Sequence, residues 1–282
     1  PLSGGLDSRL LVAWLTLHDA LDRAVAFTYG RPGTREVEVS RKVAEAVGLE
    51  WHAVDYVPAE PLTGPEIERI IESWARAARN AVDAGMDGVQ IHGANGYLIH
   101  QFLAFNTNMR DDEWGGDPHR RARLAVEVTR AVAAEIGGQR TSIRLSPEHN
   151  IQGIEETDPA DVEATYQHLA REIAPLGLGF VDILHSEPDS ELVQGIRRTI
   201  GAPLVVNRGF GSVTDREEAA GLVADGVAEA VGVGRPALAN PDLVERWRTG
   251  APENAPIQET IYGGGASGYT DYPTLQGRET SP

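Results

Sequence analysis

The sequence predicts an α/β protein in which parallel strands alternate with helices, and three observations support this fold class. Short, almost uninterrupted apolar runs recur along the 282 residues, as expected for strands buried on both faces of a parallel sheet. Segments whose apolar residues recur at helical spacing separate these runs. Polar residues and glycines follow several runs directly, at the strand ends where parallel sheets carry functional groups.

Composition restricts the classes of function. The chain is 41% hydrophobic and 24% charged, which is typical of a globular protein that buries a core. A net charge of −17 argues against binding to the phosphate backbone of nucleic acids. The chain has no cysteine, so disulfides and thiolate ligands are excluded, and we expect no metal site. We find neither a membrane span nor a signal-like segment after Pro1, and we expect a cytoplasmic protein.

The first 60 residues alternate between loop, helix and strand. The predicted elements are a glycine-rich loop at 3–8, a helix at Arg9–Leu21, a strand at Ala24–Tyr29, a helix at Glu36–Val47 and a strand at Glu50–Tyr56. Glycines follow the first strand and the second helix and are typical element ends. Only Pro1 and Leu2 precede the glycine-rich loop, where a complete unit would have a strand. We therefore predict an incomplete Rossmann-like β-α-β fragment.

A proline-containing segment at 57–61 separates this fragment from a regular series of helices and strands. Helices are predicted between Thr63 and Gly85 and at Arg120–Ile136, Ala160–Ala174, Glu191–Ile200, Thr214–Ala224 and Asp242–Arg248. Strands are predicted at Asp87–Ile91, Thr141–Leu145, Phe180–Leu184, Pro203–Asn207 and Glu229–Val233. Capping signals support the helix starts: Thr63 with Glu66, Asp158 before Pro159, Thr214 with Glu217, and Asn240.

These elements together predict a TIM-barrel-like (β/α)8 fold. The N-terminal fragment occupies residues 1–60, and residues 61–282 supply the last five strands and a wrapping tail rich in glycine, proline and tyrosine. Seven complete strands and one remnant leave the barrel one strand short of clear closure. Because all strand ends of such a barrel share one rim, polar groups distant in sequence are expected to converge there.

Three polar side chains, those of His92, Asn95 and Tyr97, follow the strand predicted at Asp87–Ile91. A histidine on its own is more often a hydrogen-bonded core residue than a ligand. The three residues together provide two hydrogen-bond donors and one hydroxyl acid in a single loop. This combination favours an oxyanion-binding pair beside a general acid.

Charge and glycine lie at or after the ends of three later strands. Arg144 lies inside an apolar strand, where it either forms a structural salt bridge or stabilises negative charge on a cofactor. The segments 207–211 and 234–235 combine glycines with arginine after consecutive strands. Simple turn chemistry explains glycines equally well, but the pairing of glycine and arginine at adjacent strand ends favours a phosphate site.

The later part of the chain resembles a known family. The motifs that carry the resemblance are Asp87–Leu98, Gln101–Leu103, Asn106–Asn108, Asp112–Gly116, Val205–Gly211, Gly234–Pro236, Asn240–Leu243 and Gly268–Pro273. With them, residues 62 to about 275 resemble the old yellow enzyme family of FMN-dependent ene-reductases. The family's first three barrel strands, which contact the flavin ring, have no counterpart in the sequence.

The resemblance implies a role for each candidate residue. His92 and Asn95 would bind the carbonyl or nitro oxygen of a small α,β-unsaturated substrate, and Tyr97 would donate a proton to it. Arg144 would lie beside the N1–C2 edge of FMN, and Tyr262 would stack on the substrate. The positions that match the family's phosphate-binding residues are Gly209, Phe210, Gly234 and Arg235. NAD(P)H would reduce the FMN, and the resemblance leaves a homo-oligomer open.

The first 60 residues resemble a different family, the asparagine-synthetase-like ATP pyrophosphatases. The resemblance rests on Ser3–Ser8, Phe27–Gly30 and Glu45–His52. We interpret the chain as a chimera formed by fragment recombination. Three functions then compete: an FMN-dependent ene-reductase, an engineered scaffold with weak or no catalysis that retains at most FMN or phosphate binding, and an ATP-binding module that uses Ser3–Ser8.

Overall fold

A computed structural model describes residues 25–29, 35–48, 50–54, 62–261 and 266–276 of the chain. The chain forms two compact units, one of Pro1–Glu60 with Arg235–Pro282 and one of Pro61–Gly234. The predicted glycine-rich loop at 3–8, the predicted helix at Arg9–Leu21 and the predicted stacking residue Tyr262 lie outside the described residues.

The described elements follow the predicted alternation. In chain order they are β1 (Val25–Tyr29), α1 (Arg35–Val47), β2 (Glu50–Val54), α2 (Gly64–Asp83), β3 (Val89–His92), α3 (Leu98–Leu103), α4 (Pro118–Ile136), β4 (Thr141–Leu145), α5 (Pro159–Ile173), β5 (Phe180–Leu184), α6 (Glu191–Ile200), β6 (Leu204–Asn207), α7 (Arg216–Ala224), β7 (Ala230–Val231), α8 (Arg235–Ala239) and α9 (Leu243–Thr249). Short 3₁₀ turns at Gly138–Arg140 and Ala174–Leu176 precede β4 and β5.

The larger unit is built on a five-stranded parallel sheet with the order β3-β4-β5-β6-β7. Each strand pairs with the next strand in the chain, so every connecting helix returns the chain to the same edge. The carboxyl ends of all five strands therefore form one rim, which we call the rim below. β1 and β2 pair in parallel in a separate two-stranded sheet. The five-strand part of the predicted barrel is confirmed, and the joining of both sheets into one barrel stays a prediction.

The core of the larger unit lies on the helix side of the sheet. Ile143, Val181, Ile183, Leu204 and Val206 are completely buried in the three central strands. Burial of one such side chain stabilises the fold by about 1.5–3 kcal/mol. Apolar residues of α4, α5 and α6 cover them, which fixes the sheet that carries the rim.

A buried arginine joins three helices behind this sheet. The Arg121 guanidinium donates to the Leu103 carbonyl at 2.9 Å and to Thr165 Oγ1 at 3.0 Å, and it pairs with Asp161. A buried guanidinium is tolerated only when its donors are satisfied in this way. Arg121 therefore has a structural role and takes no part in the rim.

The hydrogen bonds at three helix starts confirm two predicted caps and correct a third. The Glu66 carboxylate accepts from both the Thr63 N–H and the Thr63 hydroxyl, and Asp158 accepts from the first turn of α5, as predicted. The start of α7 was predicted wrongly: its N-cap is Asp215, which accepts from the Glu218 N–H at 2.9 Å, and Thr214 is buried. The aspartate that follows Thr214 competes successfully for the cap.

Two further differences from the prediction concern the last strand and the last helix. β7 covers only Ala230–Val231, because Gly232 leaves the strand after donating to the Val206 carbonyl. The last helix starts after Asp242, while Asn240 uses its side chain to bind the Pro236 and Asn254 carbonyls. The shortened strand and the last helix keep their predicted places in the chain.

Candidate active site

The loop after β3 turns sharply and places polar groups at the rim. Asn95 and Gly96 both have left-handed backbones, with φ of 58° and 78°. Gly93 lies so close to β4 that a Cβ atom there would be 2.9 Å from the Arg144 carbonyl oxygen. Only small or left-handed-tolerant residues suit these positions, and the sequence supplies glycine, asparagine and glycine.

Asn95 is held in this conformation by the loop after β4. Its N–H donates to Ser146 Oγ at 2.8 Å, and its carbonyl accepts from Gln152 Nε2 at 2.9 Å. The side chain is only 7% exposed. The backbone that carries the carboxamide is thus fixed by its neighbours before any ligand binds.

His92 and Tyr97 lie side by side at the mouth of this loop. Their ring centroids are 5.1 Å apart, and both side chains are partly exposed. Burial, together with the charge of Arg144 and a smaller effect of His100, lowers the pKa of His92 below its ordinary value. A neutral imidazole beside a phenol can donate one hydrogen bond while the phenol donates another.

Arg144 lies next to His92 in the β3–β4 register and next to Asp182 in the β4–β5 register. Its Nε is 3.5 Å from Asp182 Oδ2, and Gln90 Nε2 is 3.3 Å from the same oxygen. Burial raises the pKa of Asp182, against the lowering effects of Arg144 and Gln90. The structural salt bridge that the sequence left open is therefore present only as a loose contact.

The turn after β6 carries the predicted phosphate-binding residues Gly209 and Phe210. Gly209 has φ of 91°, and its N–H donates to Asn207 Oδ1 at 2.8 Å, while Asn207 Nδ2 donates to the Gly232 carbonyl. Phe210 is 53% exposed. The Gly209 N–H is therefore already engaged, and a phosphate role for this amide stays a prediction.

The two remaining phosphate candidates are adjacent in sequence but belong to different units. Gly234 is exposed and ends the larger unit, three residues after β7. Arg235 opens α8 in the other unit. Their proposed joint role stays a prediction from the resemblance, as does that of Tyr262.

Sequence reasoning missed a buried network beneath the loop after β3. His100 is fully buried in α3, and its Nδ1 accepts from the Gly96 N–H at 3.0 Å. Its Nε2 therefore carries the hydrogen and faces Glu156 Oε2 at 3.4 Å. Glu156 also accepts from the Tyr166 hydroxyl at 3.2 Å. Only the position of His100, one helical turn after Tyr97, could have indicated this network.

A second missed residue, His185, follows β5 directly. Its Nδ1 accepts from the Glu187 N–H at 3.0 Å, so its Nε2 donates to Glu148 Oε2 at 3.0 Å. The rule that identified His92, a polar residue directly after an apolar strand, would also have found His185.

An enclosed polar atom that lacks a hydrogen-bond partner indicates where a polar ligand could bind at the rim. Among the described residues such atoms include Asn95 Oδ1, Arg144 Nε, His149 Nε2 and Asp182 Oδ1. All four residues lie in or directly after β3, β4 or β5. Because unpaired buried polar atoms are rare in folded proteins, this cluster fits a polar ligand such as a flavin with its substrate.

Two other kinds of feature are absent from the described part of the chain. No described helix has the length and apolar character needed to cross a bilayer. No group of three or more histidines, cysteines or carboxylates within the described ranges could hold a metal ion.

Comparisons with known proteins agree with the geometry. The sequence profile of the NADH:flavin oxidoreductase / NADH oxidase family matches residues 35–254. A putative 12-oxophytodienoate reductase 12 of Oryza sativa subsp. japonica is 39% identical over 230 residues, which cover 76% of this chain and 55% of that protein. A probable flavin mononucleotide-dependent alkene reductase of Leishmania infantum is 38% identical over 78% of this chain and 59% of its own length. The old yellow enzyme from Trypanosoma cruzi superposes with a TM-score of 0.70 at 34% identity, covering 79% of this chain and 59% of that one.

These matches confirm the resemblance to the old yellow enzyme family and give no support to the resemblance to ATP pyrophosphatases. The chain spans somewhat more than half the length of the three relatives. The family match includes α1 and β2, which fall in the segment that resembles ATP pyrophosphatases. None of the three relatives supports that second resemblance or a chimeric origin, and both stay hypotheses. With 35–254 matched, this chain belongs to the NADH:flavin oxidoreductase / NADH oxidase family.

Proposed function

We propose that the chain is an FMN-dependent ene-reductase that uses NAD(P)H as reductant and reduces small α,β-unsaturated compounds. The observation that carries the proposal is the placement of His92, Asn95 and Tyr97 in one loop beside Arg144. Bound FMN would supply the hydride for the alkene. The residues of the rim would supply binding, orientation and the proton.

His92 and Asn95 would hold the oxygen of the substrate. Negative charge develops on that oxygen when the conjugated alkene accepts hydride, and fixed N–H donors stabilise this charge. A neutral His92 donates without repelling a cation nearby, which suits its position next to Arg144. Asn95 needs no reorganisation, because Ser146 and Gln152 already fix its backbone.

Tyr97 would donate the proton to the α-carbon. Its exposed phenol lies on the solvent side of the loop, where it can be reprotonated between turnovers. Arg144 would face the pyrimidine edge of the flavin, and Gly209, Phe210, Gly234 and Arg235 would hold the phosphate. A cytoplasmic location and assembly into a homo-oligomer stay predictions from the sequence.

Titration of FMN into the apo-protein tests the proposal. We expect quenched flavin emission with saturation, followed by NADH or NADPH oxidation that depends on a cyclic enone and yields the saturated ketone. One alternative is a scaffold with little or no activity, which the engagement of the Gly209 N–H by Asn207 favours. A protein that stays colourless at saturating FMN would establish that alternative and end the proposal.

A further inference from the structure

His149 is a rim residue to which neither the sequence motifs nor the proposed mechanism gives a role. It lies in the loop after β4, and its backbone N–H donates to the Ser146 carbonyl at 3.2 Å. The ring is half-buried, and its Nε2 is enclosed without a hydrogen-bond partner among the described residues. A histidine fixed in this way presents a donor or acceptor that its protein surroundings do not use.

The ring of His149 lies against the turn after β6. Its centroid is 5.6 Å from that of Phe210, with a 42° tilt between the ring planes. His149 Cε1 is 3.7 Å from the point where a Cβ atom of Gly209 would lie. A side chain at position 209 would therefore press on the imidazole, and the glycine leaves it room.

Two groups near His149, Arg144 and His100, are positively charged or able to become so. Burial is the main cause that lowers the pKa of His149, and His100 and Arg144 lower it further. A lowered pKa favours the neutral imidazole. A neutral imidazole suits a hydroxyl partner, since it can either donate to the hydroxyl or accept from it, whereas a phosphate would favour the charged ring.

We propose that His149 binds a hydroxyl group of the ribityl chain of FMN. The proposal rests on the proposed function, which assigns Arg144 to the flavin ring and the turn at Gly209 and Phe210 to the phosphate. The ribityl chain joins these two parts of the cofactor. His149 contacts the Gly209 turn and lies within the electrostatic reach of Arg144, so it occupies the intervening part of the rim.

The test compares the affinities of three flavins for the wild type and for His149→Ala. FMN has the ribityl chain and the phosphate, riboflavin has only the ribityl chain, and lumiflavin has neither. We expect His149→Ala to weaken FMN and riboflavin equally, by about threefold to tenfold, which corresponds to the loss of one hydrogen bond. Lumiflavin affinity should stay unchanged.

Two further variants separate a binding role from a structural one. His149→Asn keeps a donor and an acceptor and should restore part of the lost FMN affinity. His168→Ala is the matched control, because His168 is another half-buried histidine, stacked on His119 at 4.1 Å on the outer helices. It should bind all three flavins like the wild type. Thermal unfolding of each apo-protein verifies that the variants fold.

Each other outcome overturns the proposal in a recognisable way. Unchanged FMN affinity in His149→Ala would show that the imidazole makes no useful contact. A loss confined to FMN would assign it to the phosphate, and an equal loss for lumiflavin would assign it to the ring. A wild-type protein that binds none of the flavins would remove the proposed function first and this inference with it.

Discussion

At position 95 backbone geometry and side-chain chemistry select the same residue. A φ of 58° is unfavourable for most side chains, and asparagine tolerates it better than nearly all others. The same residue carries the carboxamide that we assign to the substrate oxygen. A substitution at this position would therefore alter the turn and the ligand contact together, which makes Asn95 a poor probe of either.

Tyr97 is the cleaner probe of catalysis, because its side chain is 51% exposed and phenylalanine keeps the ring that lies against His92. We expect Tyr97→Phe to slow enone reduction by about 10²–10⁴-fold, the usual contribution of a general acid. FMN affinity and the rate of FMN reduction by NAD(P)H should change little. Stopped-flow measurement of the two half-reactions checks this, and loss of bound flavin in the variant would contradict the assignment.

Arg235 probes the phosphate assignment. We expect Arg235→Ala to weaken FMN binding by about tenfold to a hundredfold, as for a lost hydrogen bond to a charged group. Riboflavin affinity should be nearly unchanged, because riboflavin lacks the phosphate. Fluorescence titration with both flavins provides the measurement, and Arg248→Ala, an exposed arginine on α9, is the control. Equal FMN affinity in wild type and variant would refute the phosphate role.

At the scale of elements, the loops after β3 and β4 form a single interlocked structure. Gly96 faces Gln152, and a Cβ at position 96 would be 2.7 Å from Gln152 Cβ and 2.8 Å from the Ile151 carbonyl oxygen. Glu148 and Gln152 also have left-handed backbones, with φ of 59° and 55°. Such strain commonly occurs at functional sites, and here it lies directly beside the rim.

Gly96→Ala tests this interlock against a matched substitution. Gly96 and Gly153 both have positive φ, of 78° and 85°, but a Cβ at 153 meets nothing within 4 Å. We expect Gly96→Ala to lower the free energy of unfolding by about 2–4 kcal/mol, through strain and steric overlap together. Gly153→Ala should lower it by about 1 kcal/mol, through strain alone. Urea denaturation of both variants measures the two losses in the free energy of unfolding. Equal losses would mean that the loops are not interlocked.

The elements also show where the local sequence pattern suffices. β4, β5 and α6 have the predicted boundaries, because their apolar residues are flanked by clear end signals such as Gly201 after α6. α7 begins at a different cap, because Thr214 and Asp215 offer competing oxygens and only the packed structure selects between them. β7 is shorter than predicted, since Gly232 donates to the Val206 carbonyl and then leaves the strand.

At the scale of the whole molecule, partly buried histidines make stability depend on pH. Burial lowers the pKa of His92, His149 and His168 below 6.5 in the folded state. The stability they contribute is complete above the unfolded pKa and is lost as the pH falls through the lower folded values. Asp182 acts in the opposite direction, because burial raises its pKa and acid then favours the folded form.

We therefore expect the urea midpoint to fall between about pH 7 and about pH 5, the range in which histidines titrate. Replacing His149 and His168 by glutamine should reduce this fall, because two of the three groups no longer bind protons on unfolding. Asp182→Asn should enlarge it by removing the opposing group. A fall of the same size in all three proteins would show that other groups control the acid response.

The sequence by itself determined the alternation of strands and helices, the residues of the loop after β3 and the family to which they belong. These follow from local patterns, because apolar spacing, capping residues and glycines act over a few neighbouring positions. The tertiary structure decided which groups meet: Arg144 between His92 and Asp182, Asn207 on the Gly209 amide, His100 and Glu156 beneath Asn95, and His149 beside Phe210. Those contacts join strands and loops distant in the chain, and their geometry depends on the register and packing of the whole sheet, which no local pattern encodes.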